Sequence, residues 1–295
     1  MGKIRMLMGL AVAMTASLCR AETLVNSDFS KGSTGWVLNN AAQLVTVGDR
    51  QVLSLTQNET SQAGIVWTEL KRRVPSFSFI ADLRIRFEPP DEGSCPADGM
   101  AVAFADAGPN AEGGAGGNLG LFGNPDDLGT FIALDINTWY AQGLGGGLNC
   151  HASRSISETV SFAVLKTNCD TCQRSPESGR TSYDRHTGVN SYEDPVKGGI
   201  KLGQTGFPEG MKLVNGGAYR FQWNVDGATN TMTCFVTGLE ERNKQFQKVK
   251  VAEIKSGIPT LDFEGRWGIT AATGGAVQHS EVLTARIDVP MIEPL

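Results

Sequence analysis

Eleven consecutive residues constrain this chain more than any other stretch. From position 77 to 87, Phe77, Phe79, Ala81, Leu83, Ile85 and Phe87 alternate with positions that carry Ser78, Asp82, Arg84 and Arg86. A period of two sends the first set to one side of the backbone and the second to the other, which defines a strand with one buried face. Such a strand is not stable alone. It needs pairing partners beside it and a second layer over its apolar side.

The chain offers partners in number. Short apolar or alternating runs occupy residues 52–55, 64–67, 100–105, 131–139, 159–166, 219–225, 232–237, 249–254, 266–272 and 282–289. Turn residues separate them, and Asn224-Val225-Asp226-Gly227 running into Ala228-Thr229-Asn230-Thr231 reads as a hairpin. No long stretch shows helical period with a cap at each end. Many strands and no helices imply an all-β chain, folded as an antiparallel sandwich or barrel. The 36 glycines suit the many turns such a fold requires. No repeat of fixed period is present. Residues 141–158 and 168–204 resist the pattern, being polar, glycine-rich and aperiodic. They are expected to form a surface insertion, because residues 175–194 are rich in Ser, Arg, Asp and Gly and carry few apolar anchors.

Residues 1–21 read as a secretory signal peptide, with basic Lys3 and Arg5, an apolar centre and Cys19-Arg20-Ala21 as a small-x-small cleavage site. An uncleaved anchor is the alternative, and the apolar part is short for it. No later stretch is apolar for long enough to span a bilayer, so the expectation is one soluble domain over residues 22–295, secreted, or periplasmic in a bacterium. The leader takes away Lys3, Arg5 and Arg20 and no acidic residue, which moves the net charge from −5 to −8. Phosphate backbones and anionic lipids are gripped by clustered Lys and Arg, so nucleic acid and anionic membrane are not expected partners. Lys71-Arg72-Arg73 reads as a solvated strand end.

Five cysteines remain after the leader: Cys95, Cys150, Cys169, Cys172 and Cys234. An exported chain can hold disulfides, and an odd count leaves at least one thiol unpaired within the chain. One or two staples across the loops are expected, for example between Cys150 and the 169–172 turn. Cys234 lies in an alternating strand and reads as a buried thiol. Cys169-Asp170-Thr171-Cys172 has no second such pair and no histidine at metal spacing, which weighs against zinc or redox chemistry.

Polysaccharide hydrolysis on a β-sandwich needs two facing carboxylates. The strand at 131–139 offers Asp135 and then Asn137, whose amide does not titrate. No serine stands in a nucleophile elbow, and His151, His186 and His279 make no metal spacing. Catalysis is therefore not expected. Binding is better supported. Asp135, Asn137 and Trp139 share one face of their strand, and side-chain oxygens with a backbone carbonyl are ligands of the kind calcium takes. Hydrogen bonding to a neighbouring loop explains Asp135 and Asn137 equally well.

Three segments in order carry a resemblance. Ala97-Asp98-Gly99 leads into an apolar strand. Gly116-Gly117-Asn118-Leu119-Gly120-Leu121-Phe122 follows, and then Leu134-Asp135-Ile136-Asn137-Thr138-Trp139. Together with Arg266-Trp267-Gly268-Ile269-Thr270-Ala271-Ala272-Thr273-Gly274-Gly275 and Asp28-Phe29-Ser30 near the start, they resemble the legume lectins, or L-type lectins. The similarity spans most of the chain beyond the leader. It implies a concanavalin A-like jelly roll and a secreted, non-catalytic carbohydrate-binding protein with a glycan or polysaccharide as partner. It also implies roles. The aspartate matching Asp98 follows a cis peptide and accepts hydrogen bonds from sugar hydroxyls. In the Gly116-Gly117 pair, the glycine matching Gly117 gives its N–H to the sugar. The aromatic matching Trp139 stacks on the sugar, and its carbonyl helps to hold calcium. The loop from Thr273 through Gly275 to Gln278 shapes which sugar is accepted.

The same resemblance marks departures. The family's paired metal carboxylates fall on Asp135 and Asn137, so one charge is missing. The asparagine that binds both calcium and sugar falls on Ala141. Calcium is thus the implied cofactor, held by Asp135, Asn137 and Trp139, with an incomplete ligand set. The alternative function is a jelly-roll structural or interaction module that has lost sugar binding; a polysaccharide hydrolase or lyase ranks below both. Lectins of this architecture often pair through the back sheet, which leaves the oligomeric state open.

Overall fold

The computed structural model describes residues 21–88, 96, 98–121, 128–138, 159–165, 199–206, 213–254 and 260–290. Fifteen strands run through them in order: β1 (Ala21–Asp28), β2 (Trp36–Asn40), β3 (Gln43–Val47), β4 (Arg50–Thr56), β5 (Ala63–Thr68), β6 (Ser76–Arg86), β7 (Gly99–Ala105) and β8 (Phe131–Asn137). They continue with β9 (Thr159–Leu165), β10 (Gly199–Gly206), β11 (Ala218–Asp226), β12 (Thr231–Gly238), β13 (Val249–Ile254), β14 (Arg266–Ala272) and β15 (His279–Pro290). All their pairings are antiparallel, and they form two sheets.

The eight-stranded sheet has the order β13-β12-β11-β6-β15-β4-β3, with β1 paired to β15 off that path. The seven-stranded sheet has the order β10-β9-β8-β7-β14-β5-β2. The alternating strand that organised the sequence is β6, central in its sheet. Phe77, Phe79, Ala81, Leu83 and Ile85 are buried as the period requires. They meet Met100, Val102 and Phe104 of β7, Ile132, Leu134 and Ile136 of β8, and Trp267, Ile269 and Ala271 of β14 in one core between the sheets. Phe77 sits edge-on to both Trp223 and Trp267, at 5.2 and 5.7 Å between ring centroids, a geometry that adds to the area these rings bury.

A second apolar layer lies on the outer side of the seven-stranded sheet. There β5 presents Ile65 and Trp67, β7 presents Ala101, Ala103 and Ala105, and β8 presents Phe131 and Ala133. Ala107, Ala111, Leu119, Leu121 and Leu128 close over them, so the β7–β8 connection is packed onto the sheet. Trp67 Nε1 donates to the Ala111 carbonyl at 2.8 Å, which ties the cover to the strand beneath it.

The hairpin expected at 224–231 joins β11 and β12, with Asp226 paired to Thr231. Asp226 accepts from the N–H groups of Ala228 and Thr229 and from the Thr229 hydroxyl, and these bonds hold its carboxyl below the usual carboxylate range. One expectation is corrected. The chain at 199–204 is not loop: it belongs to β10, an edge strand paired to β9 through residues 199–206. Its sequence, Gly199-Ile200-Lys201-Leu202-Gly203-Gln204, has only two apolar positions, and pairing with β9 supplies what the pattern lacks. Cys234 is buried and free of disulfide, and burial pushes its thiol up. Cys95, Cys150, Cys169 and Cys172 lie outside the described residues, as does most of the leader. Among the described residues no helix is long and apolar enough to cross a membrane.

Candidate functional site

Three chain segments meet at one end of the sandwich. β7 begins there, β8 and β14 end there, and β15 starts there after the loop at 273–278. Asp98 stands just before β7 and is only 5 % exposed. Its N–H donates to the Ala272 carbonyl at the end of β14 (2.8 Å), and its carbonyl accepts from the Thr138 N–H just past β8 (3.0 Å). The residue is therefore stitched between two neighbouring strand ends, and the strands fix where its carboxylate emerges.

Glycines let two loops close around that carboxylate. Gly116 adopts φ +62, a left-handed conformation that costs a side-chain-bearing residue energy, and its N–H donates to the Thr273 carbonyl at 2.9 Å. A methyl group at Gly274 would stand 2.9 Å from Asp98 Oδ2 and 3.3 Å from the Gly116 Cα. A methyl at Gly116 would lie 3.8 Å from the same oxygen. At Gly274 the close approach needs a residue without a side chain, and at Gly116 the left-handed backbone favours one. Farther along, the 113–120 loop folds on itself: a methyl at Gly113 would lie 2.4 Å from the Gly120 carbonyl oxygen, and the Gly120 N–H donates to the Gly114 carbonyl at 3.0 Å.

The 273–278 loop is pinned from the other side by the β4–β5 turn. The Thr273 N–H donates to the Gln62 carbonyl (2.9 Å), the Thr273 hydroxyl to the Glu59 carbonyl (2.7 Å), and the Ser61 N–H to the Gly274 carbonyl (3.0 Å). The result is a closely tied rim in which one carboxylate, several backbone groups and little side-chain bulk converge. Such a rim can accept hydrogen bonds from vicinal hydroxyls, and a carboxylate makes those bonds charge-assisted.

The expected site residues are placed as follows. Asp98, Gly116 and the start of the 273–278 loop come together. Gly117 is half-buried in the short 3-10 turn over Gly116–Asn118, next to them. Gly275 is exposed at the loop tip, with open space where a side chain would be. Gln278 is fully buried. Its amide accepts from the Thr138 hydroxyl (2.6 Å) and donates to Ser280 Oγ (2.9 Å), so it sits under the rim and does not face the solvent. Asp135 lies on the outer side of β8, 1 % exposed, with Ala101 and Ser161 as its direct cross-strand neighbours. Asn137 is paired to Gly99 and Thr159 in backbone register. Trp139 and Ala141 lie outside the described residues.

Calcium takes six to eight oxygens, and its affinity rises with the number of carboxylates. Asp135 has no second acidic residue beside it in the sheet, and no Asp or Glu occurs in the sequence from 136 to 157. Among the described residues no group of three or more His, Cys, Asp or Glu is gathered. One carboxylate, one amide and one carbonyl do not fit the demands of a calcium site.

Gly274 was legible as part of the 273–278 loop but not as its point of closest approach to Asp98, and one further residue was not legible as a site residue at all. Thr138 is a lone hydroxyl between more conspicuous neighbours, and only the fold shows that both its N–H and its Oγ1 are used.

Two antiparallel sheets with this loop arrangement define a fold of the L-type lectin kind. No protein-family model matches the chain, and no curated protein matches its sequence. Solved structures do match in fold. The exoplasmic/lumenal domain of VIP36, in a form bound to Ca2+ and Man3GlcNAc, shares 15 % identity over 88 % of this chain and 86 % of that one, with a TM-score of 0.58. The basic winged bean lectin with Tn-antigen shares 15 % identity over 91 % and 98 % of the two chains, with a TM-score of 0.60. Peanut lectin is 15 % identical over 93 % and 100 %, with a TM-score of 0.57. The described residues thus have an L-type lectin-like fold, as the resemblance implied.

Proposed function

We propose that this protein is an exported, non-catalytic carbohydrate-binding protein whose sugar site is the rim around Asp98, Gly116, Gly117 and the 273–278 loop. The observation that carries this reading is the convergence of two separate loops on the Asp98 carboxylate, with glycines at both points of closest approach. A buried carboxylate, on a residue whose backbone is tied to two strand ends, is an expensive feature to keep in a purely structural role. At a sugar site its acceptor oxygens are the functional part. Structural neighbours that carry mannose-containing glycan or Tn-antigen support the same class of ligand for this chain. Trp139 would add an apolar platform for one face of the sugar, and Gly275 at the loop tip leaves room for its substituents. Asn137, an amide, stands two residues after Asp135 where a sandwich hydrolase strand would carry its second carboxylate, which is why binding and not hydrolysis is proposed.

The test is a glycan array that includes Man3GlcNAc and the Tn antigen, probed with the full chain and with Asp98→Ala and Gly274→Ala. Asp98→Ala removes the acceptor and is expected to abolish binding. Gly274→Ala drives a methyl against Asp98 Oδ2 and is expected to weaken binding at least ~10-fold, about 1.4 kcal/mol. Silence of the unaltered chain toward every glycan overturns the proposal and favours the structural-module reading.

A further inference from the structure

We propose that the rim is braced from beneath by a buried hydrogen-bond chain through Thr138 and Gln278, and that this brace replaces calcium as the support of Asp98. The inference rests on the sugar-binding reading and concerns how that site is held. Thr138, Gln278, Ser280 and Thr56 are all buried. The Thr138 N–H holds the Asp98 carbonyl at 3.0 Å, and its hydroxyl donates to Gln278 Oε1 at 2.6 Å. The Gln278 Nε2 donates to Ser280 Oγ at 2.9 Å. Thr56 Oγ1 donates to the Gln278 carbonyl at 2.8 Å and stands 3.0 Å from Ser280 Oγ.

The chain of bonds therefore runs from Asp98, before β7, to the end of β8, to the 273–278 loop, and into β4 and β15. It crosses both sheets and links every element of the rim except the 113–120 loop, which Thr273 reaches by its own bond from Gly116. Buried networks of this kind are cooperative, and each member left without a partner carries a full desolvation cost, so the members favour one geometry strongly. That is the task a metal performs when it fixes a binding loop. Here the metal ligands do not fit: Asp135 is the lone acidic residue between 128 and 157, and its cross-strand neighbours are Ala101 and Ser161. The strand end that the resemblance assigns to the metal supplies Thr138, which stands just past β8 and is buried. Thr138 and Gln278 are positioning residues; neither reaches a bound sugar.

The experiment compares the full chain with Thr138→Val, which keeps the shape and removes the hydroxyl, and Thr138→Ser, which restores it. Affinity for whichever array glycan the unaltered chain binds is measured in calcium and in EDTA. Thr138→Val is expected to weaken binding ~10-fold in both conditions, Thr138→Ser to return it to within ~2-fold, and EDTA to change the unaltered chain by less than ~2-fold. Loss of binding in EDTA overturns the inference, as does Thr138→Val binding like the unaltered chain. Hydrogen exchange at the Asp98 amide, without any glycan, keeps the two readings separable. Thr138→Val is expected to speed that exchange ~10-fold relative to the unaltered chain and to Thr138→Ser. Unchanged exchange overturns the brace whether or not a sugar is found, whereas faster exchange with a silent array supports the brace and sinks only the sugar.

Discussion

On the seven-stranded sheet, the outward positions of β7 are Ala101, Ala103 and Ala105; on the eight-stranded sheet, those of β6 include Ser78, Asp82, Arg84 and Arg86. The alanines are short enough for a loop to lie flat on them, and the 107–121 connection does so, with Leu119 and Leu121 pressed into the sheet. The charged face cannot be covered that way. Its acids are instead buried by their own neighbours. Glu281, 1 % exposed, lies 2.5 Å from Arg84 Nε and 3.4 Å from Arg86 Nη2. Asp82 takes the Arg220 fork at 2.7 and 2.9 Å and the Thr284 hydroxyl at 2.7 Å. Arginine suits this role because its planar fork meets both carboxylate oxygens at once. The lesson is that side-chain length on an outward strand decides whether a sheet face becomes a platform for functional loops or a sealed wall. The rim is found where the face is short.

Three perturbations test that contrast. The largest effect is expected at Trp67, fully buried under the loop cover and bonded to the Ala111 carbonyl. Trp67→Ala removes both packing and a hydrogen bond and should cost about 3–5 kcal/mol in chemical unfolding. It should also loosen the 107–121 cover, visible as faster amide exchange there. A loss below about 1 kcal/mol would mean the cover is not part of the cooperative fold.

Next comes Glu281→Ala on the charged face. Breaking a fully buried ion pair costs several kcal/mol, but Arg84 and Arg86 are 22 % and 31 % exposed and regain water. About 2 kcal/mol of destabilisation is expected, with glycan binding intact because the Glu281 carboxylate bonds to Arg84 and Arg86 and not to a rim residue. Loss of binding with retained stability would break the separation of the two faces.

The smallest effect concerns His279, at the start of β15 where rim and charged face adjoin. Burial lowers its value first, then the charge of Arg86, against opposing contributions from Glu88 and Glu281. A folded imidazole that resists protonation means the unfolded chain binds the proton more readily. Stability is then complete above the ordinary imidazole range and declines as pH falls through it toward the folded value. Denaturation curves at pH ~7.5 and ~5.5 should show this slope in the unaltered chain and a flatter one in His279→Gln. An identical slope in both would assign the acid sensitivity in this pH window to a group other than His279.

Much of the fold was legible in residue pattern. The runs at 249–254 and 266–272 coincide with β13 and β14, and the alternation at 77–87 with β6 apart from its last residue. β1, β2, β3 and β10 escaped the pattern, and all lie at sheet margins. A marginal strand buries less of either side, so its composition is held less strictly and its pairing is imposed by the inner neighbour. Asp82 departs for a related reason. Period placed it on the solvent face, where it does lie, yet it is only 5 % exposed because Arg220 from β11 covers it. The site was legible in part. Asp98, the paired glycines and the late loop were named by resemblance, and the described residues bring Asp98, Gly116 and the start of that loop together. Gln278 was read as a rim residue and lies buried under it, since sequence position in a loop says nothing of depth.

By itself, then, the sequence determined the class of fold, through the alternation of β6 and the turn residues between runs. It also determined that few carboxylates were left for a metal, because residue identity alone limits the ligands a chain can offer. Which loops meet was decided only in three dimensions. Asp98, Gly116 and Gly274 lie far apart in the chain, and the register of β7 against β8 and β14 brings them within contact. Only that register sets the Thr138 N–H against the Asp98 carbonyl and its hydroxyl against Gln278, because hydrogen bonds depend on distances that a linear pattern does not contain.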